Sequence, residues 1–273
     1  MPDKKIISML GCGWFGLNLA NALLAKGFTV KGSTTSADKL PLLKASGIEP
    51  CLINFSPGSE VYDPAFFDCD ILWICIPPKV RSGNGNNFIA QIESIITHVV
   101  AHHIQQVVFI SSTGVYGDLN KEVNELSECI PDSESGKVLL QAEELLKQQT
   151  SFHTTIIRFA GLIGPGRDLG RFLAGKKAIA NGKAPVNLVH LTDCVGINCA
   201  IMDQDAFGHT YNVCSPSHPS RAEFYVNAAS RLGLELPEFI TEKKNWKIVN
   251  SINTDTILNY SYKIDDLMKW LSQ

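Results

Sequence analysis

Six residues near the start, Gly11-Cys12-Gly13-Trp14-Phe15-Gly16, constrain this chain more than any other feature, because of what flanks them. Before them, Lys5-Ile6-Ile7-Ser8-Met9-Leu10 is apolar and β-branched enough for a buried strand; after them, Leu17 to Lys26 is apolar at helical spacing. Gly27 stops that helix, and Thr29-Val30-Lys31-Gly32 reads as a second strand. A G-x-G-x-x-G run is weak by itself. One that closes a strand and opens a helix inside a βαβ unit predicts a turn that binds a dinucleotide. Gly11 permits the tight turn, Gly13 lets a pyrophosphate approach bare backbone, and Gly16 lets the helix pack closely on the sheet. The helix N-terminus then offers unpaired N–H groups and the positive end of its dipole to the phosphates.

The same alternation continues for about 160 residues. Cys51–Phe55 reads as strand three, Asp70–Ile76 as a continuous apolar strand four stopped by Pro77-Pro78, Val107–Ser112 as strand five and Thr154–Phe159 as strand six. Helices are expected over Phe88–His103 and Val138–Gln148. Near-continuous apolar strands with helices between them predict an α/β fold: a doubly wound parallel sheet, covered on both faces. The expected division is a Rossmann dinucleotide-binding domain over 1–165 and a smaller C-terminal substrate-binding lobe over 166–273, where the elements shorten after Gly164-Pro165-Gly166. Ligands of such sheets sit beyond the strand C-termini. That adds Ile76, Pro77, Pro78 and Ser111 to the expected cofactor contacts, and makes Ser82–Asn87 a loop able to close over a ligand.

Composition narrows the partners. With 273 residues, 45% hydrophobic content and a net charge of −3, the chain reads as a globular protein with no basic face for nucleic acid. No apolar run is long enough to cross a bilayer, and the first residues lead straight into a strand, so a cytoplasmic location is expected. The 8 cysteines show no C-x-x-C pair and no zinc spacing, which predicts reduced, mostly buried thiols. His98, His102 and His103 share a predicted helix, but no third metal ligand stands near them, so no metal is expected.

Several later segments resemble one family. Strand five ends in Ser111-Ser112-Thr113-Gly114-Val115-Tyr116-Gly117, which is similar to the S-S-x-x-V-Y-G run of extended short-chain dehydrogenases/reductases. Arg158 to Gly166 resembles their R-x-x-x-x-x-G-P-G turn, Val189-His190-Leu191-Thr192-Asp193 their V-H-V-x-D segment, and Tyr211-Asn212-Val213 a later strand. More narrowly, a G-x-G-W-x-G loop, Asn187–Leu191, and Gly170-Arg171-Phe172 with Gly175-Lys176 resemble the atypical, YeeZ-like subgroup, described as NAD-dependent epimerase/dehydratase-like. The resemblance implies an NAD(P)-dependent enzyme that transfers hydride to or from an anionic, nucleotide-sugar-like substrate. It also implies a homodimer paired through two helices.

One departure stands out. Family members that do redox chemistry carry Y-x-x-x-K with a glutamate four residues after the lysine. Aligned on Glu143, this chain has Ser135 at the tyrosine's place and Leu139 at the lysine's. Three residues are candidates to replace the pair: Ser112, which matches the family's catalytic serine, Tyr116, and Lys137, which lies about 200° around the helix from the lysine's place. A non-catalytic NAD(P)-binding sensor is the alternative reading.

For the cofactor, NADP is preferred over NAD. Strand two ends in Ser33-Thr34-Thr35-Ser36 with Lys39 nearby, and Thr34 stands where an acid would repel a 2′-phosphate. Arg81, Arg167 and Arg171, with Lys79, Lys176 and Lys177, fall on loops near the expected cleft mouth and are candidates for the substrate's anion. His190 reads as a packed histidine or a substrate contact, Asp193 as a helix N-cap, and Arg158 as a buried ion-pair partner or a cofactor contact.

Overall fold

The computed structural model describes residues 5–56, 59–78 and 85–273. Strand and helix alternate at first: β1 (Ile6–Leu10), α1 (Trp14–Ala25), β2 (Thr29–Thr34), α2 (Leu40–Ala45) and β3 (Glu49–Leu52). A short antiparallel hairpin, β4 (Asn54–Ser56) with β5 (Ser59–Val61), interrupts the pattern. It resumes with β6 (Ile71–Ile74), α3 (Gly85–Ala101), β7 (Gln106–Ser112), β8 (Lys121–Val123), α4 (Glu134–Lys147) and β9 (His153–Phe159). Shorter pieces follow: β10 (Gly161–Ile163), α5 (Gly170–Leu173), β11 (Leu188–His190), α6 (Leu191–Asp203) and β12 (Thr210–Val213). The chain ends with α7 (Arg221–Arg231), β13 (Lys247–Val249), α8 (Ile252–Thr256) and α9 (Leu267–Leu271).

Seven strands form the main sheet in the order β12-β9-β7-β6-β1-β2-β3, and every neighbouring pair is parallel. The chain runs outward from β1 to β3 in one direction and from β6 to β12 in the other. Strand order therefore reverses between β1 and β6, and their C-terminal ends deliver the glycine loop and Cys75–Pro78 to the same crevice. The sheet's interior is apolar on both faces: in β6, Ile71, Leu72, Trp73 and Ile74 are all buried. Among the described residues, no helix is long and apolar enough to cross a membrane.

The chain after Pro165 divides itself between two places. Strand β12 extends the main sheet against β9, and α6 packs beside α1. The buried Trp73 indole N–H of β6 donates to Asn198 Oδ1 of α6 at 2.9 Å, while Asn198 Nδ2 donates to Cys194 O at 2.8 Å. Elsewhere Ile163, Val186, Leu188, Phe224, Ala228 and Leu267 form a second, smaller apolar cluster. Helix α5 meets α7 closely there, because a Cβ on Gly170 would lie 2.3 Å from Ala228 O.

Of the element boundaries that differ from the sequence expectation, three have a clear physical cause. Strand three ends at Leu52: Ile53 N–H still donates to Thr34 O, but the chain then turns into the hairpin. Helix α4 begins at Glu134 rather than Val138, because Ser133 Oγ accepts from Gly136 N–H and caps it. At α6 the N-cap is His190, whose Nδ1 accepts from Thr192 N–H at 3.2 Å. Asp193 is not the cap. It is fully buried, and its carboxylate accepts from Lys263 N–H, Ile264 N–H and Tyr260 O–H, tying the C-terminal segment to α6.

The Asn198 contact yields a stability prediction. Asn198→Leu leaves the Trp73 N–H buried without an acceptor, which costs about 1–3 kcal/mol. Urea denaturation should show a lower midpoint with an unchanged slope.

Candidate functional site

Close packing shapes the glycine loop before any ligand does. Gly11 has φ of +102°, in the left-handed region, and a Cβ there would press on the Cys75 carbonyl at 3.3 Å. A Cβ on Gly16 would lie 2.3 Å from Gly11 O, so α1 rests on the loop only because Gly16 is bare. Ser33 then fastens the loop to β2: its Oγ accepts from Gly11 N–H at 2.8 Å and its carbonyl from Cys12 N–H at 2.9 Å. Gly13 differs from the others. No atom lies within 4 Å of where its Cβ would be, so this face of the loop is open. Helix α1 starts there with no side-chain cap and no acid in its first turn. Its leading N–H groups are left to an external acceptor.

A cavity of about 650 Å³ opens in front of this loop. Gly11, Cys12, Gly13, Ser33, Thr34, Thr35 and Lys39 line one side, and Ile76, Pro77 and Pro78 another. The structure thus gathers ten of the sequence-derived cofactor residues around one space. Asn87, the last residue of the expected closing loop, lines it too, and sequence reasoning missed Ile53, Asn54, Phe55, Phe88 and Gln91. The parallel sheet carried a signal for the first three, since the end of β3 must open on the same side as the ends of β1 and β2. Burial pushes the Cys12 thiol up to about 12, so it lines the cavity as a small neutral group.

Other expected contacts lie elsewhere. Trp14, Phe15, Gly16, Ser36 and Ser111 do not line the cavity. Phe15 is buried edge-on against Phe159, with ring centroids 4.8 Å apart, and anchors α1 to the end of β9. Trp14 is half-buried, and its indole N–H donates to Pro165 O at 2.8 Å. The Ser33 hydroxyl faces the loop rather than a ribose phosphate, and Thr34 Oγ1 accepts from Ser36 N–H at 3.2 Å. Thr35 and Lys39 are the exposed polar groups left on this rim.

A buried polar network lies under the C-terminal ends of β7, β9 and β12. Glu143 of α4 takes Ser111 O–H at 2.6 Å on Oε1 and Arg158 Nη2 at 2.6 Å on Oε2, while Arg158 Nε reaches both oxygens. Arg158 Nη1 donates to Tyr116 Oη at 2.6 Å. The single Tyr116 hydroxyl hydrogen is shared between Asn124 O at 2.9 Å and Asn212 Oδ1 at 3.1 Å. Tyr116 is 1% exposed, and burial raises its pKa even though Arg158 and Asn212 work the other way. Of the two readings open for Arg158, the structure shows the buried ion pair. Nothing in the sequence placed Glu143 beside it.

The remaining candidates spread widely. Ser112, half-buried at the end of β7, accepts from Gly114 N–H at 3.1 Å, which leaves its own hydrogen free to donate. Lys137 is exposed and paired to Glu134 at 2.6 Å, one turn away on the same helix. Leu139, at the place of the family's lysine, is buried in the core. His190 is half-buried with Nδ1 accepting, so its neutral form carries hydrogen on Nε2, near Gly164; burial lowers its pKa below the ordinary value. Arg167 stacks on Trp14, its guanidinium carbon 4.3 Å from the ring centroid, and Arg171 is exposed on α5. Lys79 and Arg81, and residues 82–84 of the expected closing loop, lie outside the described residues; 85–87 open α3. His98 stacks on Phe67 at 4.8 Å, and His102 Nδ1 lies 2.9 Å from Asp68 Oδ1.

Comparison with known proteins agrees with this geometry. A family model described as NAD(P)H-binding matches residues 11–187. The chain is 38% identical over 269 residues to protein YeeZ of Escherichia coli K12, covering 96% of this chain and 97% of that one. Among solved structures, a functionally unknown conserved protein from Silicibacter pomeroyi superposes with TM-score 0.81 at 24% identity, covering 98% of this chain and 97% of the other. A UDP-glucuronic acid 4-epimerase from Bacillus cereus, in complex with UDP-glucuronic acid and NAD, superposes with TM-score 0.79 at 18% identity, covering 98% and 96%. These structural likenesses show the fold.

The buried network is testable by itself. Glu143→Ala strands the Arg158 guanidinium without its carboxylate and should cost about 3–5 kcal/mol in urea unfolding. Ser111→Ala removes one hydrogen bond to the same carboxylate and should cost about 1–3 kcal/mol.

Proposed function

This chain belongs to the NAD(P)H-binding family, in the YeeZ-like branch of the atypical short-chain dehydrogenases/reductases, and we propose that it is an oxidoreductase or epimerase-type enzyme acting by hydride transfer. The observation that carries this reading is the open Gly13 face: an uncapped, acid-free helix start fixed beside a cavity of about 650 Å³. A nicotinamide dinucleotide, when bound, supplies the hydride donor or acceptor. The protein's part is to hold and orient it.

The amides at the start of α1 would hold the diphosphate, as the dipole and unclaimed donors favour. Ile53, Phe55, Ile76 and Pro77 offer apolar walls to the adenosine half. Thr35 and Lys39 stand on the rim where β2 ends without an acid, which supports NADP over NAD. Ser112 would donate its free hydrogen to a substrate oxygen, and His190 Nε2–H is the second donor on the substrate side. Arg171 is proposed for the anionic part of a nucleotide-sugar-like substrate, the class bound by the Bacillus cereus epimerase. The eight free thiols suit the reducing cytoplasm.

Chemistry here has to proceed without a phenol–lysine pair. Leu139 brings no charge to the cleft, Lys137 is committed to Glu134, and the Tyr116 hydroxyl is enclosed by Arg158, Asn124 and Asn212. Those same three facts favour the second reading, a sensor that binds the dinucleotide and transfers nothing. The two readings separate on hydride transfer alone.

Titration of NADPH and NADH should quench protein tryptophan fluorescence through Trp14, with tighter binding for NADPH. No response to either cofactor would remove the reading. In a screen of nucleotide sugars, deuteride from labelled NADPH should appear in the product, and Ser112→Ala should lower kcat by about a hundredfold. Cofactor binding without label transfer on any sugar nucleotide would leave the sensor.

A further inference from the structure

We propose that Arg167, seated on the Trp14 indole, is a positioning residue for the dinucleotide: the two side chains form a clasp that closes on the nicotinamide-side phosphate. The proposal rests on the cofactor reading above and adds to it a residue from outside the glycine loop.

The clasp is a built contact between distant parts of the chain. Trp14 is the first residue of α1, and its N–H donates to Pro165 O at 2.8 Å. The Arg167 guanidinium carbon sits over the same indole, 4.3 Å from the ring centroid. The turn that carries it is tight: Arg167 N–H donates to Gly164 O at 2.9 Å, and Gly164 and Gly166 take φ of +138° and +75°. One side chain of the glycine loop therefore fixes both the turn and the cation on it.

That cation is held in place but not satisfied. Arg158 pairs with Glu143, Arg221 donates to Ala180 O, and Arg231 donates to Leu271 O. The Arg167 guanidinium has no hydrogen-bond or ion-pair partner among the described residues. Its sequence neighbour Asp168 spends Oδ1 on Gly170 N–H at 2.9 Å. Stacking on an aromatic face leaves the planar N–H fork free at its edges, which is how arginine meets a phosphate in two parallel bonds. Ordering a long side chain without a partner costs conformational entropy, which a phosphate would offset.

Placement selects which phosphate. The cavity that fits the adenosine half is lined from Gly11–Gly13, from the ends of β2 and β3 and, across β1, from Cys75–Pro78 after β6, so it reaches from β3 to β6. Trp14 and Arg167 do not line it; Phe15, next to Trp14, packs on Phe159 of β9, two strands beyond β6 and past the cavity's edge. A diphosphate lying on Gly13 would thus have its adenosine-side phosphate toward the cavity and its nicotinamide-side phosphate toward the clasp.

Calorimetric titration of AMP, ADP-ribose and NADPH tests this. AMP carries only the adenosine-side phosphate. Arg167→Ala should weaken ADP-ribose and NADPH by about tenfold or more, and leave AMP within about twofold of wild type. Arg167→Lys should recover part of the loss, since it restores a point charge without the fork. Trp14→Leu should mimic Arg167→Ala, and the double variant should be no worse than the poorer single one. Unchanged ADP-ribose affinity in Arg167→Ala overturns the clasp, and if substrate KM alone rises the arginine serves the substrate instead. Equal losses for AMP and ADP-ribose also overturn it, as damage to the loop. A wild-type chain that binds neither dinucleotide nor ADP-ribose overturns the cofactor reading itself.

Discussion

The Gly11 carbonyl oxygen occupies the space that any side chain at position 16 would need, 2.3 Å from its Cβ. Because nothing stands there, α1 approaches the end of β1 until its first turn faces the crevice rather than the sheet. Ser33 answers from β2 by taking the Gly11 and Cys12 amides, so the loop cannot relax away from the helix. What remains unclaimed is the start of α1, beside the open face of Gly13. The anion site is in this sense a residue of packing: every other donor in the loop is already used.

The same economy operates around α4, where Glu143 is buried against Arg158 and Ser111. Tyr116 and Asn212 extend the network to the turn after β7 and to the edge strand β12, holding the ends of β7, β9 and β12 in fixed relation. Two buried charges of opposite sign tolerate this position only with nearly every donor satisfied. Leu139, on the same helix, is buried in the apolar core and takes no part in the network.

Much of this was legible in the sequence because it depends on local rules. The glycine loop, the apolar strands and Gly27 follow from steric and periodic constraints that neighbouring residues alone impose. Ser33 and Thr34 were read correctly as lying at the end of β2 but not for what their hydroxyls do, since their partners, Gly11 and Ser36, are fixed by how the turn closes. The N-cap of α6 was misplaced for a related reason. Asp193 suits a cap by type, but Lys263, Ile264 and Tyr260, about seventy residues later, claim its carboxylate, and the imidazole of His190 takes the capping role. The Glu143–Arg158 pair spans helix and strand, and no periodicity reports which buried arginine meets which acid.

Charge distribution completes the account. The chain is acidic overall, at −3, and many described lysines are neutralised locally, among them Lys26 by Asp203, Lys177 by Glu238 and Lys247 by Asp118. Beside the crevice stand two cations that are not. Lys39 at its β2 rim and Arg167 beside α1 have no ion-pair partner among the described residues, and the helix start between them has no acid. On the proposed cofactor reading, Lys39, the start of α1 and Arg167 would meet successive parts of one polyanion and orient it lengthwise. A single phosphate would feel only part of that line. A ligand with linked phosphates in its middle and a charged or polar group near each end would meet all of it, so on that reading length is recognised as well as charge.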